Sequence, residues 1–456
     1  ALLGILIVSV ISNYVIGNIL SIAHRAKKPA PLLLMFAIVG NLAALGYFKY
    51  TNFFIDIANQ LTSSQYSHLD IILPIGISFY TFIQIGYLIE AYSGRVGQHS
   101  FMRYLLFATF FPCVTAGPLV LQREIFDQMS DRTDSPLDFR RISAGLTMFG
   151  IGLFKKVIIA DSIAPYANTV FNGVASGQGV DLATAWAGAV AYSLQLYFDF
   201  SGYSDMAIGL GALFGIVLPL NFNSPFKALS ISDFWQRWHM TMTRFFTTYV
   251  YSTMAMSGMR RAVARQYGPA KNFLVSGALP IVFTMLVAGI WHGSGWVFAL
   301  YGLLHGMAIA VNNAWKHFEM PSLPPVLAWL LTMTVVVNGL VIFRAADVPT
   351  ALTIFSSMWG ISALTNVVET GMVTLALKEL MPMIFVFGAI VLMAPNAQEI
   401  LRHHWMSTST RPEKPARLAE YFAWRPAAGW SVACAVVFVV SFASIGANSS
   451  FLYYKF

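Results

Sequence analysis

The sequence is poor in charge. Asp, Glu, Lys and Arg make up 11% of its 456 residues, whereas a soluble domain carries roughly 25%. Hydrophobic residues make up 57%, and the mean hydropathy is +0.64. This composition excludes an ordinary soluble domain and predicts a polytopic membrane protein.

Cysteine is scarce as well. Cys113 and Cys434 are far apart and form no CxxC pair, so the sequence predicts neither a disulfide framework nor a thiolate metal site. No HxxxH spacing occurs, and we predict no bound metal and no bound cofactor. A GxSxG elbow, a P-loop and a GxGxxG after a strand are all missing, which argues against a soluble hydrolase or a nucleotide-binding protein.

Linkers are also missing from the sequence. No Gly/Ser-rich or Pro-rich stretch divides the chain, so residues 1–456 are predicted to form one integral-membrane domain. We see no cleavable signal peptide, because residues 1–20 lack a positive start and a small-residue cleavage site. The chain begins at Ala1 without Met, and we expect that an initial segment is absent.

Long apolar runs are what the sequence has in abundance. About 20 apolar residues cross a bilayer, and runs near that length predict an all-α fold of about 10–12 membrane helices plus re-entrant segments. The candidate spans are 1–20, 31–61, 71–92, 101–121, 142–163, 184–200, 204–218, 273–291, 296–313, 327–345, 382–396 and 428–446. The FFPCVTAGP interruption in 101–121 and the shortness of 204–218 favour re-entrant or buried segments there.

Three basic connections indicate the orientation. They are 21–30, 258–271 and 402–425, and cytoplasmic loops collect Lys and Arg. An even number of candidate spans separates them, so all three fit one side of the membrane. The net charge of +8 is therefore interpreted as loop charge facing anionic lipid, and no nucleic-acid partner is predicted.

Polar residues inside the apolar part form one cluster. Asp199 and Asp205 lie within YFDFSGYSD, and ionisable groups at membrane depth are costly and usually mark a pathway or a partner. The segment 221–246 follows, with Asn221 and Asn223 near its start, and its Pro and Ser residues interrupt the apolar pattern. Such a segment is predicted to be re-entrant.

Three histidines are candidates for proton transfer, because imidazole titrates near neutral pH. His292 lies in GIWHGSGW between two apolar runs, His239 lies in RWHMT, and His305 follows in LLHG. Each of them could instead pack between helices, and for His305 packing is the preferred interpretation. A role at a shared site would require the fold to bring them together.

Eight motifs in order resemble the membrane-bound O-acyltransferase family, in particular its bacterial branch that O-acetylates exported polysaccharides such as alginate and cellulose. They are ILPIGISFYTF, FFPCVTAGPL, GLFKKVIIADSIAP, YFDFSGYSDMAIGLGALFG, LNFNSPF, ISDFWQRWH, GIWHGSGW and FLYYKF. The resemblance implies a central tunnel where an acyl thioester meets an acceptor hydroxyl. It also implies that the family's catalytic histidines correspond to His292 and His239. The residues expected to contact substrate are Trp291, Trp235, Trp238, Asp199, Asp205, Asn221, Asn223 and His305.

The resemblance implies a function as well. An acetyl group would move from a cytoplasmic thioester, acetyl-CoA or another acyl donor, across the bacterial inner membrane toward an exported polysaccharide. Transfer would be direct or through a periplasmic acetyltransferase partner associated with exopolysaccharide machinery. After the RWH segment, the acidic residue typical of relatives is missing, and the acceptor stays unassigned. A transporter or flippase for a glycan or small solute is the alternative, and a scaffold for an exopolysaccharide synthase is a third.

Overall fold

Apolar helices account for most of the computed structural model, which describes residues 2–130, 138–361, 371–404, 420–446 and 451–452. Apart from helices, turns and loops, these ranges contain one isolated β-bridge between Gly179 and Met372. The predicted all-α fold is confirmed. The described residues divide into two units, the first within residues 2–146 and 207–219 and the second within 147–206, 220–404, 420–446 and 451–452. The prediction of a single domain stays a prediction, and each unit is described separately.

The first unit is built on six helices before residue 131. They are α1 (Leu2–Arg25), α2 (Pro31–Thr62), α3 (Ile77–Tyr92), α4 (Phe101–Thr109), α5 (Phe111–Val114) and α6 (Gln122–Ser130). Side-chain amides join the first three: Asn13 Nδ2 donates to Asn41 Oδ1 at 3.1 Å and to Gln84 Oε1 at 2.9 Å. Hydrogen bonds of this kind hold apolar helices together where the hydrophobic effect is weak.

Two long helices contribute residues to both units. The first, α7 (Phe139–Phe154), continues through a π-helical turn (Lys155–Ala160) into α8 (Asp161–Ala175), and the second is α9 (Leu182–Leu213). The separate spans predicted at 184–200 and 204–218 are therefore wrong, because one helix covers most of both. Gly202 does not break it. A Cβ there would lie 2.6 Å from the carbonyl oxygen of Gly152, so the glycine lets two helix backbones touch.

The remaining helices belong to the second unit. They are α10 (Ile231–Arg237), α11 (Met240–Phe246), α12 (Ser252–Ala264), α13 (Pro269–Phe273), α14 (Leu279–His292), α15 (Trp296–His317), α16 (Pro325–Arg344), α17 (Val348–Trp359), α18 (Leu377–Met393), α19 (Ala397–Ile400) and α20 (Ala428–Ala443). Two π-helical turns, Thr247–Tyr251 and Leu274–Ala278, join α11 to α12 and α13 to α14. The chain therefore runs as one helix from Pro269 to His292.

Six helices in the described part of the chain are long and apolar enough to cross a membrane. They are Leu3–Arg25, Pro31–Thr62, Phe139–Ala175, Pro269–His292, Trp296–His317 and Pro325–Arg344. Several other predicted spans form shorter helices, such as α3 with 16 residues and α18 with 17. The prediction of a multi-pass membrane protein is confirmed.

Candidate functional site: two histidines at a buried cavity

His239 lies at a sharp break between two short helices. Trp238 ends α10 with an extended backbone, and His239 precedes α11 at φ 43° and ψ 51°. This left-handed conformation costs a residue with a Cβ about 1–3 kcal/mol, and it persists where the surroundings hold it. The break turns the His239 ring fully into the protein, where its exposed fraction is 0%.

Asn221 determines which ring nitrogen of His239 carries the proton. Asn221 Oδ1 lies 3.0 Å from His239 Nδ1 and accepts from the backbone N–H of Thr241 at 3.3 Å and from its hydroxyl at 2.9 Å. Because a backbone N–H can only donate, the amide of Asn221 must face this side with its oxygen. His239 Nδ1 is therefore the donor, and the lone pair of the neutral ring lies on Nε2. The amide nitrogen of Asn221 donates in turn to Ser204 Oγ at 3.1 Å.

His292 is the last residue of α14, and glycines set its position. Gly293 continues in an extended conformation, and a Cβ there would lie 2.1 Å from the Phe298 ring. Gly289, one turn earlier, faces α15: its Cβ would lie 2.3 Å from the carbonyl oxygen of Phe298 and 2.8 Å from Gly302 Cα. These contacts allow α14 and α15 to pack closely and hold His292 inside the unit, with an exposed fraction of 6%.

The two histidines meet at a small cavity of about 10 Å³, which is room for about one water molecule. Their ring centroids are 6.4 Å apart. The lining residues are Leu196, Phe200, Trp238, His239, His292, Tyr301, Leu340 and Phe343. An apolar wall with two imidazoles is suited to proton transfer away from bulk water.

Aromatic rings fix the orientation of both imidazoles. Phe343 packs edge-on against His292 at 5.2 Å between ring centroids, and Phe200 packs edge-on against His239 at 4.8 Å. Trp291 contacts both histidines, at 4.9 Å from His292 and 6.2 Å from His239. Of the predicted site residues, the structure thus brings Trp291, Trp238, Asn221 and the two histidines together.

Trp235 and His305 form a second pair beside the site. The Trp235 indole N–H donates to His305 Nδ1 at 3.3 Å, and both side chains are buried. His305 packs on Tyr301 at 4.6 Å, and Tyr301 in turn contacts His292 at 6.2 Å. Neither residue of the pair is among the eight that line the cavity. Both side chains pack against Tyr301, which is one of the lining residues.

Asp199 and Asp205 are held in buried ion pairs. Asp199 Oδ1 lies 2.9 Å from Lys156 Nζ, and Asp205 Oδ2 lies 2.6 Å from Lys155 Nζ. Asp199 Oδ2 also accepts the backbone N–H of Leu452 at 3.0 Å. Neither carboxylate lines the cavity. The other predicted amide, Asn223, is not among the lining residues and accepts from Asn396 Nδ2 at 3.1 Å.

Sequence reasoning missed several residues, both in the cavity lining and in the ion pairs of the two aspartates. Lys155 and Lys156 could have been predicted from the sequence. Two adjacent lysines inside an apolar run are as costly at membrane depth as the two aspartates, and they therefore also indicate a buried partner. Tyr301 and Phe343 could not have been predicted, since aromatic residues are common in apolar helices. Across the described ranges, no three His, Cys, Asp or Glu side chains are placed to hold a metal ion together.

Comparison with known proteins identifies the family of the chain. The model of the membrane-bound O-acyltransferase family matches residues 87–343. A peptidoglycan O-acetyltransferase from Helicobacter pylori is 39% identical over 393 residues, covering 80% of this chain and 71% of that protein. The protein named probable alginate O-acetylase AlgI from Pseudomonas aeruginosa is 36% identical over 370 residues, covering 79% of this chain and 67% of that protein. A teichoic acid D-alanyltransferase from Streptococcus thermophilus is 27% identical over 242 residues, covering 53% and 57%.

The matched range includes both cavity histidines, and two of these relatives transfer acetyl groups by name. The chain belongs to the membrane-bound O-acyltransferase family and is an O-acyltransferase.

Proposed function

We propose that this protein transfers an acetyl group from a thioester donor, acetyl-CoA or an equivalent acyl thioester, toward an exported polysaccharide across the bacterial inner membrane. The observation that carries the proposal is the meeting of His239 and His292 at one buried cavity. The names of the bacterial relatives, which include a peptidoglycan O-acetyltransferase and an alginate O-acetylase, favour acetyl as the group and a polysaccharide as its destination.

In the proposed reaction, His292 accepts the proton of the attacking hydroxyl. The hydroxyl oxygen then bonds to the thioester carbonyl carbon, and an oxyanion forms. When the C–S bond breaks, the proton returns from His292 to the leaving thiolate, so a thiol and an ester result. His239 orients the reacting groups or stabilises the oxyanion. A covalent acyl-histidine intermediate is the second version of the same transfer.

The length of the helix that carries His292 supports an exchange between two sides of the membrane. Pro269–His292 begins at the end of the basic connection 258–271 and spans 24 residues, about 36 Å at 1.5 Å per residue. If that connection is cytoplasmic, His292 lies well away from the cytoplasmic end of its helix. An acceptor approaching from the outside then has a short route to the site.

The small volume of the cavity places a condition on the proposed reaction. An acetyl thioester carbonyl is larger than one water molecule, so side chains of the lining must move before both substrates can meet. Phe200, which contacts His239, and Phe343, which contacts His292, are bulky lining groups of this kind.

The acceptor is proposed to be the polysaccharide itself or a periplasmic acetyltransferase that completes the transfer. The partner is favoured because the described chain is mostly apolar helix. Purified protein supplied with donor and polymer alone tests this point. Acetylation of the polymer under those conditions would remove the need for a partner.

The decisive test of the proposed function is incorporation of labelled acetyl in membranes that carry wild type or His292→Ala. We expect incorporation to fall to background in His292→Ala at normal protein levels. The matched control is His68→Ala, which removes an exposed histidine of the first unit that pairs with Asp56. Retained incorporation in His292→Ala would refute catalysis at this residue.

The same experiment addresses the transporter alternative. Its motivating residues, Asp199 and Asp205, are paired with Lys156 and Lys155, which weakens the case for a charged solute pathway. If glycan or solute transport is lost in His292→Ala while wild type never incorporates labelled acetyl, transport replaces acyl transfer as the function.

A further inference from the structure

The segment 221–224, which begins with Asn221, is hydrogen-bonded to two parts of the chain. One is the break that carries His239, and the other is the start of α19, whose residues do not line the cavity. On one side, the backbone N–H of Asn223 donates to Arg237 O at 2.9 Å, and the backbone N–H of Met240 donates to Asn221 O at 2.9 Å. These two hydrogen bonds attach the segment to the break that carries His239. The position of Asn221 therefore depends on the course of this segment.

Two buried side-chain amides hold the segment from the other side. Asn396 Nδ2 donates to Asn223 Oδ1 at 3.1 Å and to Ser224 Oγ at 3.0 Å. Gln398 Nε2 donates to the carbonyl oxygen of Phe222 at 2.7 Å. Asn396 and Gln398, which lie at the start of α19, are here named the amide clamp. Their exposed fractions are 8% and 6%.

The orientation of the Asn396 amide is fixed by helix capping. Asn396 Oδ1 accepts the backbone N–H of Glu399 at 2.9 Å, and Glu399 Oε2 accepts the backbone N–H of Asn396 at 2.9 Å. This capping box turns the amide oxygen toward α19 and leaves the NH₂ group to face Asn223 and Ser224. The first turn of α19 thus orients the NH₂ group of Asn396 toward Asn223 and Ser224.

The segment that the clamp holds is strained. Ser224 has φ 48° and ψ 58°, which lie in the left-handed region. His239, to which the segment is joined by the hydrogen bonds described above, also has a left-handed backbone. Strained backbone of this kind relaxes when its supporting contacts are removed. Loss of the clamp donors would also leave the buried Phe222 carbonyl without the hydrogen bond from Gln398.

We propose that Asn396 and Gln398 are positioning residues for His239. They hold the segment 221–224 so that Asn221 Oδ1 meets His239 Nδ1, which keeps the ring in one tautomer and one orientation. Neither residue is among those that line the cavity. Their effect on catalysis rests on the proposed function, whereas their effect on the His239 tautomer does not.

The test is nitrogen NMR of ¹⁵N-histidine-labelled full-length protein in lipid nanodiscs, with the His239 signal assigned by its loss in His239→Gln. Wild type is expected to show protonated Nδ1 and unprotonated Nε2. In Gln398→Met, which keeps side-chain length but removes the donor, and in Asn396→Ala, a second tautomer is expected to appear. The matched control is Glu399→Ala, which keeps the backbone N–H that orients the Asn396 amide and removes only the carboxylate that accepts from the Asn396 backbone.

Kinetics provide the second measurement. The clamp variants are expected to lower kcat for acetyl transfer about tenfold, because small misplacements of catalytic groups are costly, with KM for the donor within about twofold of wild type. Unchanged tautomer signals in both clamp variants would overturn the proposal, and so would equal changes in Glu399→Ala. If Asn396→Ala fails to fold, Gln398→Met alone decides. If wild type transfers no acetyl group, the proposed function fails while the NMR result still tests the clamp.

Discussion

The imidazole Nδ1 of His239 lies 3.0 Å from Asn221 Oδ1, and the amide oxygen is identified by the backbone N–H of Thr241 that also donates to it. In the neutral ring, this relationship leaves Nε2 as the acceptor nitrogen. A ring with a fixed tautomer can accept a proton or orient a neighbour without first rearranging. Asn221 therefore holds the His239 ring together with the rings of Phe200 and Trp291.

Replacing Asn221 tests this control. Asn221→Leu removes the acceptor for Nδ1–H, so the proton can move to the other nitrogen and the ring can turn. We expect kcat for acetyl transfer to fall about 10²-fold, in the range of a lost acid–base contribution, with a smaller effect on KM for the donor. Steady-state kinetics on purified protein provide the measurement.

The conservative replacement serves as the control for that experiment. In Asn221→Asp a carboxylate oxygen can still accept from Nδ1–H and from Thr241. This variant is expected to retain kcat within about tenfold of wild type, because charged acceptors also fix the imidazole tautomer. Equal losses in both variants would mean that Asn221 acts only through packing.

A second prediction concerns the ion pair between Lys155 and Asp205, which joins the π-helical turn to α9 with 2.6 Å between Nζ and Oδ2. Breaking a buried pair leaves one charge uncompensated, which typically destabilises by about 3–5 kcal/mol. Lys155→Met should lower the free energy of unfolding by that order. The free energy can be measured by denaturation in detergent micelles.

The double variant Lys155→Met/Asp205→Leu is the control. Removing both charges is expected to recover most of the lost stability, because two apolar side chains can replace a buried pair at little cost. The coupling from the double-mutant cycle should therefore be large and favourable. If the double variant instead loses as much stability as Lys155→Met and Asp205→Leu added together, the two residues do not stabilise each other directly. Asp205 would then need a separate role.

Parts of this site follow from the sequence, and parts do not. His239 and His292 were identified from their residue type, their unusual apolar surroundings and the resemblance of their motifs. Their meeting could not be derived, since it depends on how the break after α10 packs against α14. The prediction of two spans in 184–218 was wrong for a related reason. The run FDFSGYSD looks like an interruption until the lysines that neutralise it are placed beside it.

The third prediction concerns the size of the acyl group. Leu340 is buried on α16 and lines the cavity. Leu340→Ala enlarges the cavity, so the ratio of kcat/KM for propionyl over acetyl donors should rise about tenfold, the scale on which a pocket discriminates one methylene. Parallel assays with both thioesters provide the ratio.

Val336→Ala is the matched control for this experiment. Val336 is fully buried on the same helix but is not part of the cavity lining. Its truncation should lower stability without changing the ratio between the two donors. A similar rise in both variants would mean that general loosening of α16, and not the cavity wall, sets acyl selectivity.

The fourth prediction concerns the close contact between α14 and α15. A Cβ at Gly289 would lie 2.3 Å from Phe298 O and 2.8 Å from Gly302 Cα, and both neighbours are backbone atoms that cannot rotate away. Gly289→Ala must therefore move the two helices apart, at about 1–3 kcal/mol of unfolding free energy. His292 lies three residues further on, so acetyl transfer should fall about tenfold or more, because catalytic geometry tolerates little displacement.

Gly388→Ala separates the effect of this contact from the general effect of adding a methyl group to a helix. Gly388 lies in α18, and a Cβ there would meet nothing within 4 Å. An alanine at such a helical position stabilises by about 0.5–1 kcal/mol, and acetyl transfer should be unchanged. Because the two variants add the same atoms, a difference between them reports the space at Gly289 alone. Wild-type unfolding and activity in Gly289→Ala would show that the α14–α15 contact does not position His292.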